Sequence, residues 1–221
     1  MDSLALSSIR LSLQVAFFAT LLIVVTGLPL AYLLARHHFR GKELLDVLLT
    51  LPLVLPPTVT GYYLILLFGR RGLLGAPLYQ ATGWSLMFTW QAAVLASYVV
   101  ALPILLKTAR AAFESVDGKL IDASTVLGHS EWSTARRVIL PLARRGLLAG
   151  TALAFARAMG EFGATLMLAG NLPGRTATMP LAIYSLSGAG EWRAAHLLVL
   201  LMTLLSGLFL YLANRHAGRW I

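Results

Sequence analysis

Hydrophobic positions along the chain group into five long segments, which are separated by shorter polar stretches. A helix needs about 20 apolar residues to cross the ~30 Å hydrocarbon core of a bilayer, and each segment meets that length. The pattern therefore predicts an all-α integral membrane protein with five transmembrane helices in a single domain, residues 1–221. The predicted spans are residues 13–35, 45–68, 85–106, 147–169 and 194–213.

The longest polar stretch contains residues 116–141, which we predict to form two short helices joined by a glycine. Asp117 is a suitable N-cap for the first helix. Gly128 marks its end, because glycine readily adopts the left-handed conformation that follows many helices. Ser130 is a suitable N-cap for the second helix, and Pro141 is expected to end it because proline has no N–H to donate. The first helix has apolar or small residues at helical spacing, at Leu120, Ala123, Ser124 and Leu127.

The second of these helices carries Glu131, Trp132, Arg136 and Arg137. A helix–turn–helix with a basic second helix also occurs in DNA-binding proteins, where a third helix or a similar small core holds the recognition helix. Here the neighbouring segments are membrane spans. We therefore interpret the pair as a docking element for another protein, and we expect no nucleic-acid partner.

Composition agrees with a membrane protein, since 58% of the residues are hydrophobic and 12% are charged. A soluble domain has about a quarter of its residues charged. The net charge of +9 is typical of cytoplasmic membrane loops, which accumulate Lys and Arg. The chain has no cysteine, which excludes disulfides, thiolate metal sites and cysteine nucleophiles.

The distribution of basic residues predicts the orientation of the spans. With five spans, the loops 36–43 and 107–145 share one side with the tail 214–221. Because cytoplasmic loops are the richer in Lys and Arg, we expect the N-terminus outside and the C-terminus in the cytoplasm. The richer side has Arg36, Arg40, Lys42, Lys107, Arg110, Lys119, Arg136, Arg137, Arg144, Arg145, Arg215 and Arg219. The other side has Arg10, Arg70, Arg71, Arg175 and Arg193.

The second span contains Pro52, Pro56 and Pro57 within six residues. Prolines leave backbone carbonyls unbonded, which is tolerated in lipid only where other helices or a water-lined cavity satisfy them. The pattern favours a broken helix, as in transporters and channels. A kinked packing helix is the alternative interpretation.

The docking stretch resembles the cytoplasmic motif of importer permeases of ATP-binding cassette (ABC) transporters. That motif is Glu-Ala-Ala, three residues, Gly, nine residues, then Ile-x-Leu-Pro. This chain has Asp122-Ala123-Ser124, then Gly128, then Val138-Ile139-Leu140-Pro141 at the same spacing. Asp122, Ser124 and Val138 depart from the motif, which has Glu, Ala and Ile at these positions. Each replacement is similar in shape to the motif residue. The resemblance implies a type I ABC importer permease fold with cytoplasmic coupling helices, in the cytoplasmic (inner) membrane of a prokaryote.

Four further motifs lie at residues 51–57, 69–72, 155–165 and 171–180. Together they give nearly the whole chain a narrower likeness, since it resembles the molybdate permease family. Sulfate and thiosulfate permeases share the Gly-Glu-Phe-Gly part but are usually longer, so they remain the alternative. The resemblance implies a homodimer, two cytoplasmic ATPase subunits and an external binding protein that delivers molybdate or tungstate.

The docking stretch is where such a permease would receive its ATPase. The chain contains no Gly-x-x-x-x-Gly-Lys-Ser/Thr loop, so we expect no enzyme activity and no cofactor on it, with ATP and Mg²⁺ on the partner. ATP-driven closure of the ATPases would move the spans and switch the path between its two openings. The residues assigned to this coupling are Asp122, Ala123, Ser124, Leu127, Gly128, Glu131, Trp132, Leu140 and Pro141.

Arg157 and Glu161 are the charges predicted within the membrane, and they lie four residues apart on one helical face. Two roles stay open for them: a place at the anion path or its gate, or an ion pair that locks the fourth span. Gly160 and Gly163 would permit close helix approach. The remaining assigned path or gate residues are Pro56, Pro57, Thr58, Thr60 and Thr165, whose hydroxyls would line the path or bond their own helices.

Residues 171–193 are predicted to form an outer loop that meets the binding protein through Arg175, Glu191 and Arg193. An ordinary ordered loop is the alternative. His37 and His38 are adjacent but have no third ligand nearby, so we expect no metal site there.

Two other classes of protein fit the sequence less well. A gated channel would share the broken second span but would have no use for the docking motif. An intramembrane enzyme needs a convergent pair of acids, or a nucleophile with a base, at membrane depth. Glu161 alone does not supply this.

Overall fold

A computed structural model describes residues 3–218, and every regular element in that range is helical. Arg219, one of the basic residues from which the orientation is predicted, lies outside the described residues. The helices are α1 (Ser3–Arg36), α2 (Lys42–Val54), α3 (Pro57–Phe68), α4 (Gly75–Thr82), α5 (Trp90–Glu114), α6 (Gly118–Val126), α7 (Glu131–Thr134), a π-turn (Ala135–Ile139), α8 (Leu140–Met159), α9 (Gly163–Ala169), α10 (Met179–Gly188) and α11 (Trp192–Gly218).

Helices α1 and α5 run side by side in the same direction. The Phe18 ring contacts Trp90 at the beginning of α5, with centroids 5.6 Å apart, and Tyr32 contacts Phe113 near its end, at 5.5 Å. Since both helices lead toward α6, the intervening α2–α3 pair must return the chain to the opposite end of the molecule. We call these two ends the α6 end and the α4 end.

The remaining long helices alternate in direction. Helix α8 is antiparallel to α5, because Gly146 lies against Ala112 and Gly150 lies against Thr108. Helix α11 is antiparallel to α8, since the rings of Phe155 and Phe209 are 4.1 Å apart and a Cβ on Gly160 would lie 3.8 Å from Met202 Cε. With the bent α2–α3 pair counted as one span, the described residues contain up to five spans, four of which are long apolar helices. The described range begins at the α4 end and finishes at the α6 end.

Helix α5 is the centre of the packing, because α1 and α8 cover it on two sides. Alanine is the most frequent of its buried residues and lets the backbones approach closely, as small residues do in membrane helices. Phe113 and Leu105 fill the larger gaps and are almost completely buried. This packing fixes the frame on which α6 and α7 are held.

Two of the predicted spans are not continuous helices. Within residues 45–68, helices α2 and α3 meet at a 120° bend around Leu55 and Pro56, while Pro52 lies inside α2. The expected break is thus confirmed. Within residues 147–169, which we predicted as uninterrupted, the helix stops at Met159 and resumes at Gly163.

The expectation that Pro141 ends the second docking helix is wrong. Helix α7 continues through the π-turn into α8, so that one helical rod extends from Glu131 to Met159. The Leu140 N–H bonds the Ala135 carbonyl, five residues back, in the wider turn. A proline ring clashes with the carbonyl four residues earlier in a regular helix, and the π-turn widens the backbone just before it.

Residues 171–193 are more ordered than the predicted loop, because they contain α10. Met179 and Leu181 of this helix are fully buried. The Met179 N–H donates to the Ser12 hydroxyl of α1 at 2.7 Å, which ties α10 to the frame. Pro173 and Gly174 favour a turn, so the sequence pattern predicted a loop over the whole segment. Helix α10 is short, and only part of it is buried.

Candidate functional site

Helix α6 has the ends that its sequence predicts. The Asp117 carboxylate accepts a hydrogen bond from the Lys119 N–H at 2.9 Å, which confirms the N-cap. Gly128 has a φ of +80°, which confirms the left-handed stop. The His129 N–H bonds the Ser124 carbonyl at 3.2 Å, as in a Schellman motif.

Helix α7 begins at its predicted cap and is fastened to α6 by a buried hydrogen bond. The Ser130 hydroxyl accepts from the Ser133 N–H at 3.3 Å. The hydroxyls of Ser124 and Thr134 lie 2.8 Å apart, and both side chains are buried. Ser124 is where the importer motif has its second alanine, so this chain replaces an apolar contact with a hydrogen bond.

The outer face of α6 and α7 is unusually apolar for an exposed surface. Val126 is 86% exposed, Leu127 is 76% exposed and Trp132 is 74% exposed. Asp122, Ala123 and Gly128 are also exposed. Exposed apolar patches of this kind mark interaction sites. We call the set Leu120, Asp122, Ala123, Val126, Leu127, Gly128 and Trp132 the α6–α7 surface.

The other residues assigned to coupling lie behind or beside this surface. Leu140 is partly buried against the core, and Pro141 is exposed at the beginning of α8. The Glu131 carboxylate contacts His37, with Oε1 and Nε2 3.0 Å apart. This contact with the α1–α2 loop joins residues far apart in the sequence, so no local sequence pattern predicts it.

The breaks in the second and fourth spans pack against each other. A Cβ on Gly163 would lie 3.0 Å from the Pro57 Cβ, and one on Gly61 would lie 2.9 Å from the Ala164 Cα. The two half-helices α3 and α9 therefore run side by side with their first turns adjacent. We call residues 55–61 with 160–167 the junction.

Glu161 is buried in the junction, with 2% of its surface exposed, and it has two partners. One carboxylate oxygen accepts from the Ala164 N–H at 2.8 Å, which caps α9. The other oxygen lies 2.8 Å from Arg157 Nη2. The carboxylate thus supplies the negative charge that a helix N-terminus favours, and the guanidinium neutralises it.

The structure separates the threonines that we assigned to the path. Thr60 and Thr165 are buried within the single chain, and their hydroxyls have no hydrogen-bond partner among the described residues. Thr58 is exposed at the beginning of α3, next to the exposed Pro56. Gly160 is exposed too, so the junction has an exposed outer edge, to which Thr58 contributes a polar side chain, as well as a packed interior.

The three residues assigned to binding-protein contact are all exposed at the α4 end. Glu191 and Arg193 flank the beginning of α11. Arg175 lies elsewhere on this end, on the wall of a cavity of about 770 Å³ that Arg10 and Gln14 of α1 also line. The residues that we grouped by sequence therefore occupy two different places.

Comparison with known proteins matches residues 27–221 to the family "Binding-protein-dependent transport system inner membrane component". The Molybdenum transport system permease protein ModB of Escherichia coli is 42% identical over 96% of both chains. A probable sulfate transport system permease of Chlorella vulgaris is 36% identical over 92% of this chain and 79% of its own.

A crystal structure of a bacterial alginate ABC transporter has the same fold. It superposes with a TM-score of 0.81 at 15% identity, over 99% of this chain and 80% of that one. At this identity the likeness concerns the fold alone. The family match and the closely similar relatives go further: this chain belongs to the inner-membrane components of binding-protein-dependent transport systems, the multi-pass, non-enzymatic permease subunits of ABC importers.

Proposed function

We propose that this permease imports molybdate, with two copies forming the pathway and a separate ATPase driving it. The observation that carries the proposal is the 42% identity to the E. coli molybdenum permease over 96% of both chains. The sulfate relative is less similar, at 36%, and keeps sulfate as the second candidate. Tungstate, which has the same charge and a similar shape, belongs with molybdate in this proposal.

A tetrahedral dianion cannot cross hydrocarbon, because burying even one charge is costly. It needs a polar path, and the interface between two identical subunits provides one along their symmetry axis. The outer edge of the junction fits this path, since the Thr58 hydroxyl is exposed there and Arg157 is partly exposed. Because Arg157 neutralises Glu161, the buried carboxylate does not repel the ion.

The α6–α7 surface is proposed to dock into a groove of the ATPase. Its apolar side chains are between 49% and 86% exposed in the chain alone and would be covered by that partner. The continuous rod from Glu131 to Met159 leads from this surface to Arg157. A displacement at Trp132 would thus reach the junction without crossing a flexible loop, which supports alternating access driven from the α6 end.

The orientation follows from the same proposal. With the ATPase at the α6 end, that end is cytoplasmic, as the basic residues also predict. The α4 end then receives the binding protein, and Arg175, Glu191 and Arg193 are the proposed contacts. The crystal structure of the alginate transporter contains a periplasmic protein in complex with it, which supports a partner of this kind.

Substituting Leu127 with Glu tests the docking proposal. Leu127 is 76% exposed, so the fold should be unaffected, while the charge should weaken co-purification with the ATPase. Leu73→Glu is the matched control, because Leu73 is 75% exposed at the α4 end. Equal ATPase recovery with both variants would contradict a docking role for this surface.

Transport itself is tested in proteoliposomes that contain the permease, its ATPase and its binding protein. Uptake of labelled molybdate should require ATP and should exceed uptake of sulfate. Preferential sulfate uptake would replace molybdate by the second candidate. Anion flux without ATP would show a channel instead.

A further inference from the structure

We infer that the cavity at the α4 end holds a tetrahedral oxyanion dianion between Arg10 and Arg175, before the ion enters the membrane path. We call this space the outer cavity; it lies between α1, the beginning of α5 and the turn at residues 171–175. That molybdate is the natural ion rests on the proposed function. That the cavity binds an oxyanion rests on the residues that line it.

Two positive charges line the outer cavity, and no carboxylate of the described residues pairs with either of them. Arg10 and Arg175 both line it, and neither makes an ion pair or a side-chain hydrogen bond with any residue between 3 and 218. The described lining contains no carboxylate. By contrast, Arg157 and Arg110 elsewhere in the chain are both paired with acidic groups. A concave surface with charge of one sign concentrates ions of the other.

Neutral donors accompany the two arginines. The side-chain amides of Gln14 and Gln91 line the cavity, as do the indole groups of Trp84 and Trp90. Amide and indole N–H groups donate to oxyanions, and hydrogen bonds to a charged acceptor are the stronger kind. The volume of about 770 Å³ far exceeds one ion. The ion therefore keeps part of its water and exchanges rapidly, as a path requires.

Arg175 stands on a turn that is braced from within. Its N–H donates to the Leu172 carbonyl at 3.0 Å. The Thr176 hydroxyl accepts from the Leu172 N–H at 2.9 Å, and Thr176 is fully buried. The backbone that carries Arg175 is thus fixed before an ion arrives, and the backbone of Arg10 is fixed by α1.

Tryptophan fluorescence can test the site in the permease alone. The protein is placed in phosphatidylcholine nanodiscs and titrated with sodium sulfate or sodium molybdate, against sodium chloride at equal ionic strength. We expect a saturable signal that Trp84→Phe reduces and Trp132→Phe leaves in place. Arg10→Gln and Arg175→Gln should each raise the half-saturating concentration about fivefold, and the double variant about 25-fold. Arg71→Gln, at the same end but outside the cavity, should not change it.

Any one of four results would overturn the inference. The first is no saturable response, and the second is a response that both arginine variants leave unchanged. The third is loss of the response in phosphatidylglycerol nanodiscs, since a lipid phosphate would then be the occupant. If the two variants instead weaken only docking of the binding protein, Arg10 and Arg175 are protein contacts and the inference fails.

The outcome can be separated from that of the proposed function. Uptake by the complete transporter is measured in parallel with the same variants. Sulfate binding in the outer cavity without oxyanion uptake would reject the import proposal and keep the site. Normal oxyanion uptake without a binding signal would reject the site in the outer cavity and keep the import proposal.

Discussion

The α6–α7 surface and the junction both depart from a regular membrane span, yet they are held together in opposite ways. The first is built from local contacts, such as the Asp117 and Ser130 caps, and leaves its apolar side chains in the open. The second joins residues about a hundred positions apart, such as Pro57 and Gly163, and leaves almost no space. A surface built this way can change with little cost in stability, whereas a junction built this way cannot.

The largest effect is expected from Gly61→Val in the junction. A Cβ there would lie 2.7 Å from the Met167 Cβ and 2.9 Å from the Ala164 Cα, so backbone has to move. Overpacking typically costs about 1–3 kcal/mol and occasionally more, and we expect the upper end here. The measurement is the thermal stability of the detergent-solubilised permease.

The control for this variant is Gly207→Ala in α11, where an added Cβ meets nothing within 4 Å. It should leave the melting temperature almost unchanged. If Gly61→Val were as stable as this control, the close packing of α3 on α9 would not hold in the membrane.

Glu161→Ala should have the next largest effect, about 2–3 kcal/mol, because it removes the cap of α9 and leaves Arg157 without its partner. Glu161→Gln should cost less, since its amide oxygen still accepts from the Ala164 N–H. Arg157→Gln and the double Gln variant complete a double-mutant cycle. A coupling energy near zero would show that the two side chains act independently.

The same variants distinguish the two roles left open for the pair. A locking pair predicts that any loss of uptake follows the loss of stability. A place on the path predicts that Arg157→Gln lowers uptake in a protein that remains stable, because Arg157 is the partly exposed member. Uptake per folded transporter decides between them.

Ser124→Ala, between α6 and α7, should cost about 1–2 kcal/mol because it leaves the buried Thr134 hydroxyl without a partner. Adding Thr134→Val should recover part of that loss, since an apolar pair has nothing left unsatisfied. Stability and ATPase co-purification are measured together. A further loss in the double variant would show that the hydroxyls contribute more than their mutual bond.

The sequence predicted the local features of the molecule well. The caps at Asp117 and Ser130 and the stop at Gly128 depend on hydrogen bonds that span a few residues, and such bonds are written in short patterns. The long apolar helices followed from hydrophobic length in the same way. Pro141 was misread because a π-turn, which no simple pattern predicts, lets the helix continue.

Tertiary features were beyond the sequence. Nothing near Gly61 indicates that α9 lies against it, and nothing near Glu131 indicates His37. The same holds for the outer cavity, since Arg10 and Arg175 become neighbours of one space only after α1 and the 171–175 turn are packed. Functional residues that depend on contacts between distant parts of the sequence can be identified only from the folded structure.

The smallest loss of stability is expected at Gly128, although the loss of transport there should be large. With a φ of +80° and no atom within 4 Å of an added Cβ, Gly128→Ala strains the turn by about 1 kcal/mol without a clash. The strain should misplace α7 relative to α6 and uncouple ATP hydrolysis from uptake.

Asparagine tolerates the left-handed conformation, so Gly128→Asn tells a turn from a contact. If Gly128 serves as the turn, Gly128→Asn retains uptake per ATP hydrolysed whereas Gly128→Ala loses it. If the ATPase packs directly on this exposed position, the bulkier asparagine is the more damaging of the two. Normal coupling in both variants would remove Gly128 from the mechanism, and the α6–α7 surface would then act through its apolar side chains alone.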